Sequence, residues 1–207
     1  MAFLTAESDF VTNLVKTTPS AAAPMRWRFS GIPPQYRNAR LEKLNLPTQL
    51  EDASRRFATG ESPNAGLLFT GPPGTGKSTL AAAIMREWVR ATGGALPCRW
   101  WSVAAGLEQI RQSFREDAEA QESITEMILK NEFLIIDDLG HIRATDWVKE
   151  RFFELISSLY DHGRTVIITT NLREKELEEA LDDTAAASRL LGMCHVVPLT
   201  GKDRRLS

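Results

Sequence analysis

The stretch Gly71-Pro72-Pro73-Gly74-Thr75-Gly76-Lys77-Ser78 decides the fold of this chain. It matches G-x-x-x-x-G-K-[ST], the pattern of a phosphate-binding loop, at every fixed position. The glycines let the backbone turn tightly, so that amide N–H groups and the start of the following helix face phosphate oxygens. Lys77 supplies a positive charge to the outer phosphates, and the Ser78 hydroxyl can ligate Mg²⁺. The sequence therefore predicts a nucleoside triphosphate site over Gly71 to Thr79.

The residues on either side of this loop provide the strand and helix that the motif requires. Gly66 to Thr70 forms a short apolar run typical of a strand, and Leu80, Ile84 and Trp88 recur four residues apart, as on one helix face. The alternative is a turn that is merely rich in glycine and proline. The flanking pattern favours nucleotide binding over that alternative.

Length, charge and cysteine content are those of an ordinary globular protein. The chain has 207 residues and a formal net charge of −2, so any binding of nucleic acid must come from a local patch. Its two cysteines, Cys98 and Cys194, have no partners at metal-binding spacing and fit reduced thiols in a core. No apolar stretch has the length of a membrane span, and the first residues lack a signal-peptide pattern. We expect a cytoplasmic protein with no membrane partner.

Three segments are predicted, of which residues 1–24 form an N-terminal tail and linker. Phe3, Phe10 and Leu14 could share one face of a short helix, and Pro19 to Pro24 has the composition of a linker. Such a helix could dock into a groove on a partner protein. A frayed tail is the alternative interpretation.

The second predicted segment, residues 25–62, is a basic and aromatic strap that leads into a core at residues 63–207. A mixture of basic and aromatic side chains can hold a phosphate backbone and stack on bases. It can equally pack its aromatic side chains on the core and leave its arginines in solvent. The residues concerned are Arg26, Trp27, Arg28, Phe29, Tyr36, Arg37, Arg40 and Lys43.

From Gly66 onward, short β-rich runs alternate with helical patterns, which predicts an α/β fold with a mostly parallel sheet flanked by helices. Pro97 to Val103 is predicted as a strand, with a helix after it. Phe133 to Ile136 is a continuous apolar run of the kind that is buried on both faces of a sheet. Thr165 to Thr170 has the same character and follows a long amphipathic helix.

Polar side chains follow two of these strands directly. Asp137 and Asp138 come after the third apolar run, and Asn171 comes after the fourth. Since ligands in parallel sheets lie at the carboxyl ends of strands, these three side chains should meet at the site that Lys77 serves. Asp137 would hold Mg²⁺ through water, and Asp138 would orient or deprotonate the attacking water. Asn171 would polarise that water or contact the γ-phosphate, unless it is only a turn residue.

GPPGTGKST, FLIIDD and TVIITTN, in that order, resemble the Walker A, Walker B and sensor 1 elements of an AAA+ ATPase. Ile32 to Tyr36, Ser188-Arg189-Leu190 and Gly201 to Arg205 narrow the resemblance to the DnaC/IstB-like group, and in particular to bacterial and phage helicase loaders. The match covers Arg26 to Arg205. It implies an AAA+ P-loop core without a C-terminal helical lid.

The resemblance also implies roles for several arginines. Arg189 matches an arginine finger that reaches the nucleotide of the adjacent subunit; the alternative is a surface arginine. Arg205 matches an arginine after the last strand that can sense phosphate, although Arg204 beside it leaves the alignment open. Arg99, Arg111 and Arg115 flank the region that grips single-stranded DNA in related proteins. Acidic neighbours there oppose DNA binding, and a solvated helix face is the default interpretation.

As a whole, the resemblance implies an ATPase that uses ATP and Mg²⁺, forms homo-oligomers with ATP, and loads a replicative DNA helicase onto single-stranded DNA. The known loaders carry a separate helicase-binding domain, whereas only residues 1–62 precede the core here. One alternative is an IstB-like regulator of transposition that assembles on double-stranded DNA. Others are a small-molecule phosphotransferase and an ATP-binding adaptor with negligible turnover.

Overall fold

A parallel sheet forms the centre of the molecule. The computed structural model describes residues 31–62, 66–113, 123–140, 145–181, 184–201 and 203. Within these residues the sheet has five strands in the order β2-β3-β4-β1-β5, and all of the paired strands are parallel. The strands are β1 (Gly66–Thr70), β2 (Cys98–Ser102), β3 (Phe133–Leu139), β4 (Thr165–Thr170) and β5 (Cys194–Pro198).

Helices connect the strands and cover both faces of the sheet, as parallel strands require. The described helices are α1 (Thr48–Ala58), α2 (Lys77–Ala91), α3 (Val103–Ser113), α4 (Ile124–Leu129), α5 (Asp146–Asp161), α6 (Glu174–Leu181) and α7 (Thr184–Met193). Two short 3₁₀ turns, Pro34–Tyr36 and Leu41–Lys43, precede α1. No helix in the described segments is long and apolar enough to cross a membrane. None of the described residues after β5 is helical.

Two apolar cores lie on opposite faces of the sheet. Alternate residues of β3 point to opposite sides, so Leu134 and Ile136 pack among α3 to α7, while Phe133 and Ile135 pack against α2 and the segment before β1. All four side chains are fully buried. Burial on both faces explains why β3 and β4 appear in the sequence as continuous apolar runs.

The third strand is irregular at its carboxyl end. The sequence predicts a strand that ends in Asp137 and Asp138, and β3 includes both aspartates and continues to Leu139. The pairing with β4 shifts register between Ile136 and Leu139, and Asp138 has a φ of +66°. Among the described residues, Asp138 is the one non-glycine residue with positive φ. This irregularity re-aims the side chains at the strand end.

The described part of the strap packs on the sheet. Ile32 and Leu41 are buried in the core beside α2, and the Tyr36 ring stacks on Trp100 with 5.5 Å between ring centroids. Arg37 donates a hydrogen bond to the carbonyl of Ile32, which fixes the local turn. These contacts fit the packed-strap interpretation. The predicted tail and linker at residues 1–24, together with Arg26 to Phe29, lie outside the described residues.

Candidate nucleotide-binding site

A cleft of about 870 Å³ opens over the carboxyl ends of β3 and β4. The phosphate-binding loop and the start of α2 form one wall, and the two strand ends form another. A third wall comes from the segment before β1, which the sequence did not predict as part of the site. The lining residues are Gln35, Tyr36, Leu44, Pro73, Gly74, Gly76, Lys77, Ser78, Thr79, Asp137, Asp138, Thr169 and Asn171.

Lys77 lies at the centre of this cleft. Its ammonium group donates hydrogen bonds to the carbonyl oxygens of Gly71 at 2.7 Å and Pro72 at 2.8 Å, and to Oδ1 of Asn171 at 2.6 Å. The residue is only 7% exposed, so its charge is held in a fixed place. Lys77 therefore joins the phosphate-binding loop to the end of β4, 94 residues further along the chain.

The loop can adopt its path because glycine occupies two critical positions. Gly76 has a φ of +95° immediately before α2, a left-handed conformation that glycine adopts at no steric cost. Gly74 has a φ of +78°, and a Cβ there would collide with the carboxylate of Asp203. Asp203 thus packs directly against the phosphate-binding loop, a contact that the sequence did not predict.

The Asp137 carboxylate accepts hydrogen bonds from two hydroxyl groups. The Ser78 hydroxyl donates to its Oδ1 at 2.7 Å, and the Thr169 hydroxyl donates to the same oxygen at 2.8 Å. Burial raises the pKa of the Asp137 carboxyl above its ordinary value, while the two hydrogen bonds act in the opposite direction. The structure brings Ser78 and Asp137 together, as the motif predicts, and adds Thr169 to the site.

Asp138 and Asn171 complete the network. The backbone N–H of Asp138 donates to the Thr169 hydroxyl at 3.0 Å, and the Asn171 amide donates to Oδ1 of Asp138 at 3.1 Å. Because Asn171 also accepts a hydrogen bond from Lys77, a continuous chain of contacts links the ammonium to both aspartates. The predicted convergence of two strand ends on the phosphate-binding loop is therefore present in the fold.

The oxygen atoms at the start of α2 fit a magnesium ion. Mg²⁺ prefers oxygen ligands and takes few of them from protein, since it retains waters and binds substrate phosphates. Ser78 and Asp137 supply a hydroxyl and a carboxylate next to the predicted phosphate position. No group of three or more His, Cys, Asp or Glu side chains that could enclose a metal occurs in the described residues. The hydroxyl of Ser78 and the carboxylate of Asp137 thus suit Mg²⁺ bound together with a nucleotide.

The predicted arginines that the structure describes lie outside this cleft. Arg189 is on α7 and is not among the residues that line the cleft; it contacts Phe153 and Ser157 of α5. Arg99 lies on β2 beside a second cavity, and Arg111 lies over the Trp147 ring at 5.0 Å and near Glu108 at 3.7 Å. Arg115 and Arg205 lie outside the described residues. The DNA contacts at Arg99, Arg111 and Arg115 and the sensor at Arg205 stay predictions.

Comparison with known proteins shows which family this chain resembles. The model of the IstB-like ATP binding protein family matches residues 45–207. An insertion-sequence ATP-binding protein of Sinorhizobium fredii is 34% identical over 62% of this chain, which spans 42% of that protein. The replicative helicase loader DnaC of Escherichia coli is 24% identical over 79% of the chain, which spans 67% of DnaC.

The fold is also similar to that of a solved structure of DnaC. A crystal structure of the DnaC helicase loader aligns with a TM-score of 0.70 and 22% identity, over 81% of this chain and all of that one. The parallel sheet, its flanking helices and the phosphate-binding loop are thus those of an AAA+ P-loop domain, as the motifs predict. With the family model matching from before β1 to the end of the sequence, the chain belongs to the IstB-like ATP-binding proteins of the DnaC/IstB-like AAA+ group.

Proposed function

We propose that this protein is an ATPase that assembles with ATP and delivers a replicative DNA helicase onto single-stranded DNA. The observation that carries the ATPase part is the hydrogen-bonded network in one cleft, in which Lys77 is joined through Asn171 to Asp138, and Ser78 is joined to Asp137. This network puts a phosphate-binding cation next to two carboxylates. Such a combination serves phosphoryl transfer to water.

Each residue has a role that its position supports. Lys77 donates to two carbonyls of the phosphate-binding loop, and with ATP bound its ammonium group would serve the β- and γ-phosphates. Asp138 would orient or deprotonate the attacking water. Asn171 would hold both groups, because its amide oxygen accepts from Lys77 and its nitrogen donates to Asp138. The sequence predicts that Asn171 contacts the water or the γ-phosphate, or serves only as a turn residue, and does not predict its bonds to Lys77 and Asp138.

Ser78 and Asp137 are the residues that would hold Mg²⁺. The ion would neutralise negative charge on the phosphates during transfer. Asp137 must be ionised for this role. Because burial raises its pKa, its carboxylate takes up a proton at a higher pH than an ordinary aspartate does, and metal binding weakens at that higher pH. The Ser78 hydroxyl at the start of α2 and the Thr169 hydroxyl on β4 both donate to Oδ1 of Asp137, which restricts the orientation of its carboxylate.

Replacing Asp137 with asparagine is expected to raise the Mg²⁺ concentration needed for half-maximal ATP hydrolysis. Loss of a carboxylate that acts through water typically costs about 10- to 100-fold in metal affinity. The measurement is a magnesium titration of ATP turnover, with nucleotide affinity in EDTA measured in parallel. Asp161→Asn, at an exposed position at the end of α5, is the matched control. An unchanged magnesium requirement would remove Asp137 from the metal site.

The helicase-loading part of the proposal has support from the similarity to DnaC. The match covers 79% of this chain, and DnaC is by name a replicative helicase loader. In the proposed cycle, ATP holds copies of this chain together on single-stranded DNA with the helicase, and hydrolysis releases them. An arginine from the next copy, Arg189, would complete each nucleotide site. The single-strand contacts would come from Arg99, Arg111 and Arg115.

A second candidate function, regulation of DNA transposition, is favoured by a different observation. The insertion-sequence protein of S. fredii has the higher identity to this chain, 34%, and the matching family model is that of IstB-like proteins. In that case the same ATP site would drive assembly on double-stranded DNA and signal to a transposase. Family membership favours both candidates over a small-molecule phosphotransferase.

A binding assay with purified components separates the two candidates. If the protein is a loader, ATP should promote binding to single-stranded DNA over duplex and capture of a purified hexameric replicative helicase, whereas ADP should not. Sedimentation of the mixture with labelled DNA gives both results. Growth of ATP-dependent filaments on duplex DNA, without capture of the helicase, would overturn the loading proposal and favour transposition.

A further inference from the structure

Arg189 is held on the surface by two side chains of one helix. Its guanidinium carbon lies 5.6 Å from the centroid of the Phe153 ring, and its Nη1 donates a hydrogen bond of 2.7 Å to the Ser157 hydroxyl. Phe153 and Ser157 are four residues apart on α5, so they lie on the same helix face. Two independent contacts therefore fix one guanidinium.

The phenylalanine in this arrangement is not a core residue. Its neighbours Phe152, Leu155 and Ile156 are buried in the apolar core, whereas Phe153 is 42% exposed. Aromatic residues are enriched where proteins contact one another. The Phe153 ring lies under the Arg189 guanidinium.

Arg189 also lacks the usual partner of an arginine. In the described part of the chain no carboxylate pairs with it, and its contacts are a neutral hydroxyl and an aromatic face. On α5 itself, Arg151 pairs with Glu154, and near β4 Arg164 pairs with Glu132. Because the Arg189 guanidinium is held by uncharged groups, its positive charge is not neutralised. Its charge and most of its N–H donors are therefore available to an incoming anion.

We propose that Phe153 and Ser157 are positioning residues that hold the Arg189 guanidinium in the orientation with which it enters the nucleotide site of a neighbouring copy. The inference rests on the proposed function, in which Arg189 completes that site. A free arginine side chain loses rotamer entropy when it is fixed. The two contacts on α5 restrict the side chain before assembly, so less of this cost remains when the copies meet.

The test uses mixed assemblies in which each kind of subunit has one task. Acceptor subunits carry Arg189→Ala and keep an intact nucleotide site. Donor subunits carry Asp138→Asn, which removes their own hydrolysis but leaves Arg189 in place. Since only a donor beside an acceptor forms a complete site, ATP turnover in the mixture measures how well the donor presents Arg189. Sedimentation confirms equal assembly in each mixture.

Donors that also carry Phe153→Leu are expected to restore about two- to five-fold less turnover than parent donors, the loss expected of a surface cation–π contact. Ser157→Ala donors are expected to show a loss of similar size. Phe153→Tyr keeps the aromatic face and should restore full turnover. Tyr160→Leu is the matched control, because Tyr160 is an aromatic residue on the same helix with 52% exposure.

The outcomes separate failure of the finger role from failure of the positioning inference. If donors with Arg189→Ala restore turnover as well as the parent donors, the finger role in the proposed function fails. If Arg189 is required but Phe153→Leu and Ser157→Ala donors restore full turnover, only the positioning inference is overturned. Equal losses with Tyr160→Leu would also overturn it, because the effect would then belong to the whole helix surface.

Discussion

Replacing Lys77 with alanine is expected to abolish ATP hydrolysis and to weaken ATP binding strongly. Lys77 is the one side-chain cation among the residues that line the described cleft. Removing even one charge-assisted hydrogen bond to a phosphate costs about 1.5–3 kcal/mol. That loss corresponds to roughly 10- to 150-fold weaker binding. Hydrolysis should suffer more, since the ammonium also stabilises charge that develops on the transferred phosphoryl group.

The measurement combines titration of a fluorescent ATP analogue with steady-state turnover. Because Lys77 bonds to two carbonyls of its own loop, thermal unfolding must be followed as well, and Lys77→Met serves as a second variant that keeps the aliphatic stem. Lys175→Ala, at an exposed position on α6, is the control for loss of a positive charge. If the folded Lys77→Ala protein binds and hydrolyses ATP as before, the cleft is not the nucleotide site.

The centre of the fold and most of the cleft could be predicted from the sequence, because each depends on a short local pattern. Parallel strands buried on both faces appear as apolar runs, so β3 and β4 were visible without a structure. Their carboxyl ends must share one edge of the sheet. That topological rule was enough to bring Asp137, Asp138 and Asn171 to Lys77.

The site residues that could not be predicted from the sequence are those placed by contacts between distant segments. Thr169 appeared to be an ordinary β-branched residue of a buried strand, yet its hydroxyl bridges Asp137 and the backbone of Asp138. The bridge exists because the register of β3 against β4 shifts just there. The contact of Asp203 with Gly74 likewise exists only because the chain after β5 returns to the phosphate-binding loop. One feature of the sequence could have indicated that Thr169 belongs to the site, namely its position two residues before Asn171.

Arg189 illustrates the same limit at the surface. The motif Ser188-Arg189-Leu190 suggests a finger by resemblance, but nothing in it identifies Phe153 or Ser157 as contacts. These residues meet Arg189 only because α7 packs across α5, bringing together positions 32 and 36 residues apart. Helix packing of this kind is decided by the complete core, which local periodicity does not describe.

Replacing Arg189 with alanine is expected to leave ATP binding unchanged and to lower assembly-stimulated hydrolysis by about 10³- to 10⁵-fold, the range typical of arginine fingers. Binding should survive because Arg189 is not among the residues that line its own subunit's cleft. Arg189→Lys should recover little, since lysine lacks the planar fork of donors. Turnover is measured across protein concentration, with Arg151→Ala on α5 as the control. Normal hydrolysis by the alanine variant at high concentration would refute the finger, because assembly would then need no arginine from the neighbouring copy.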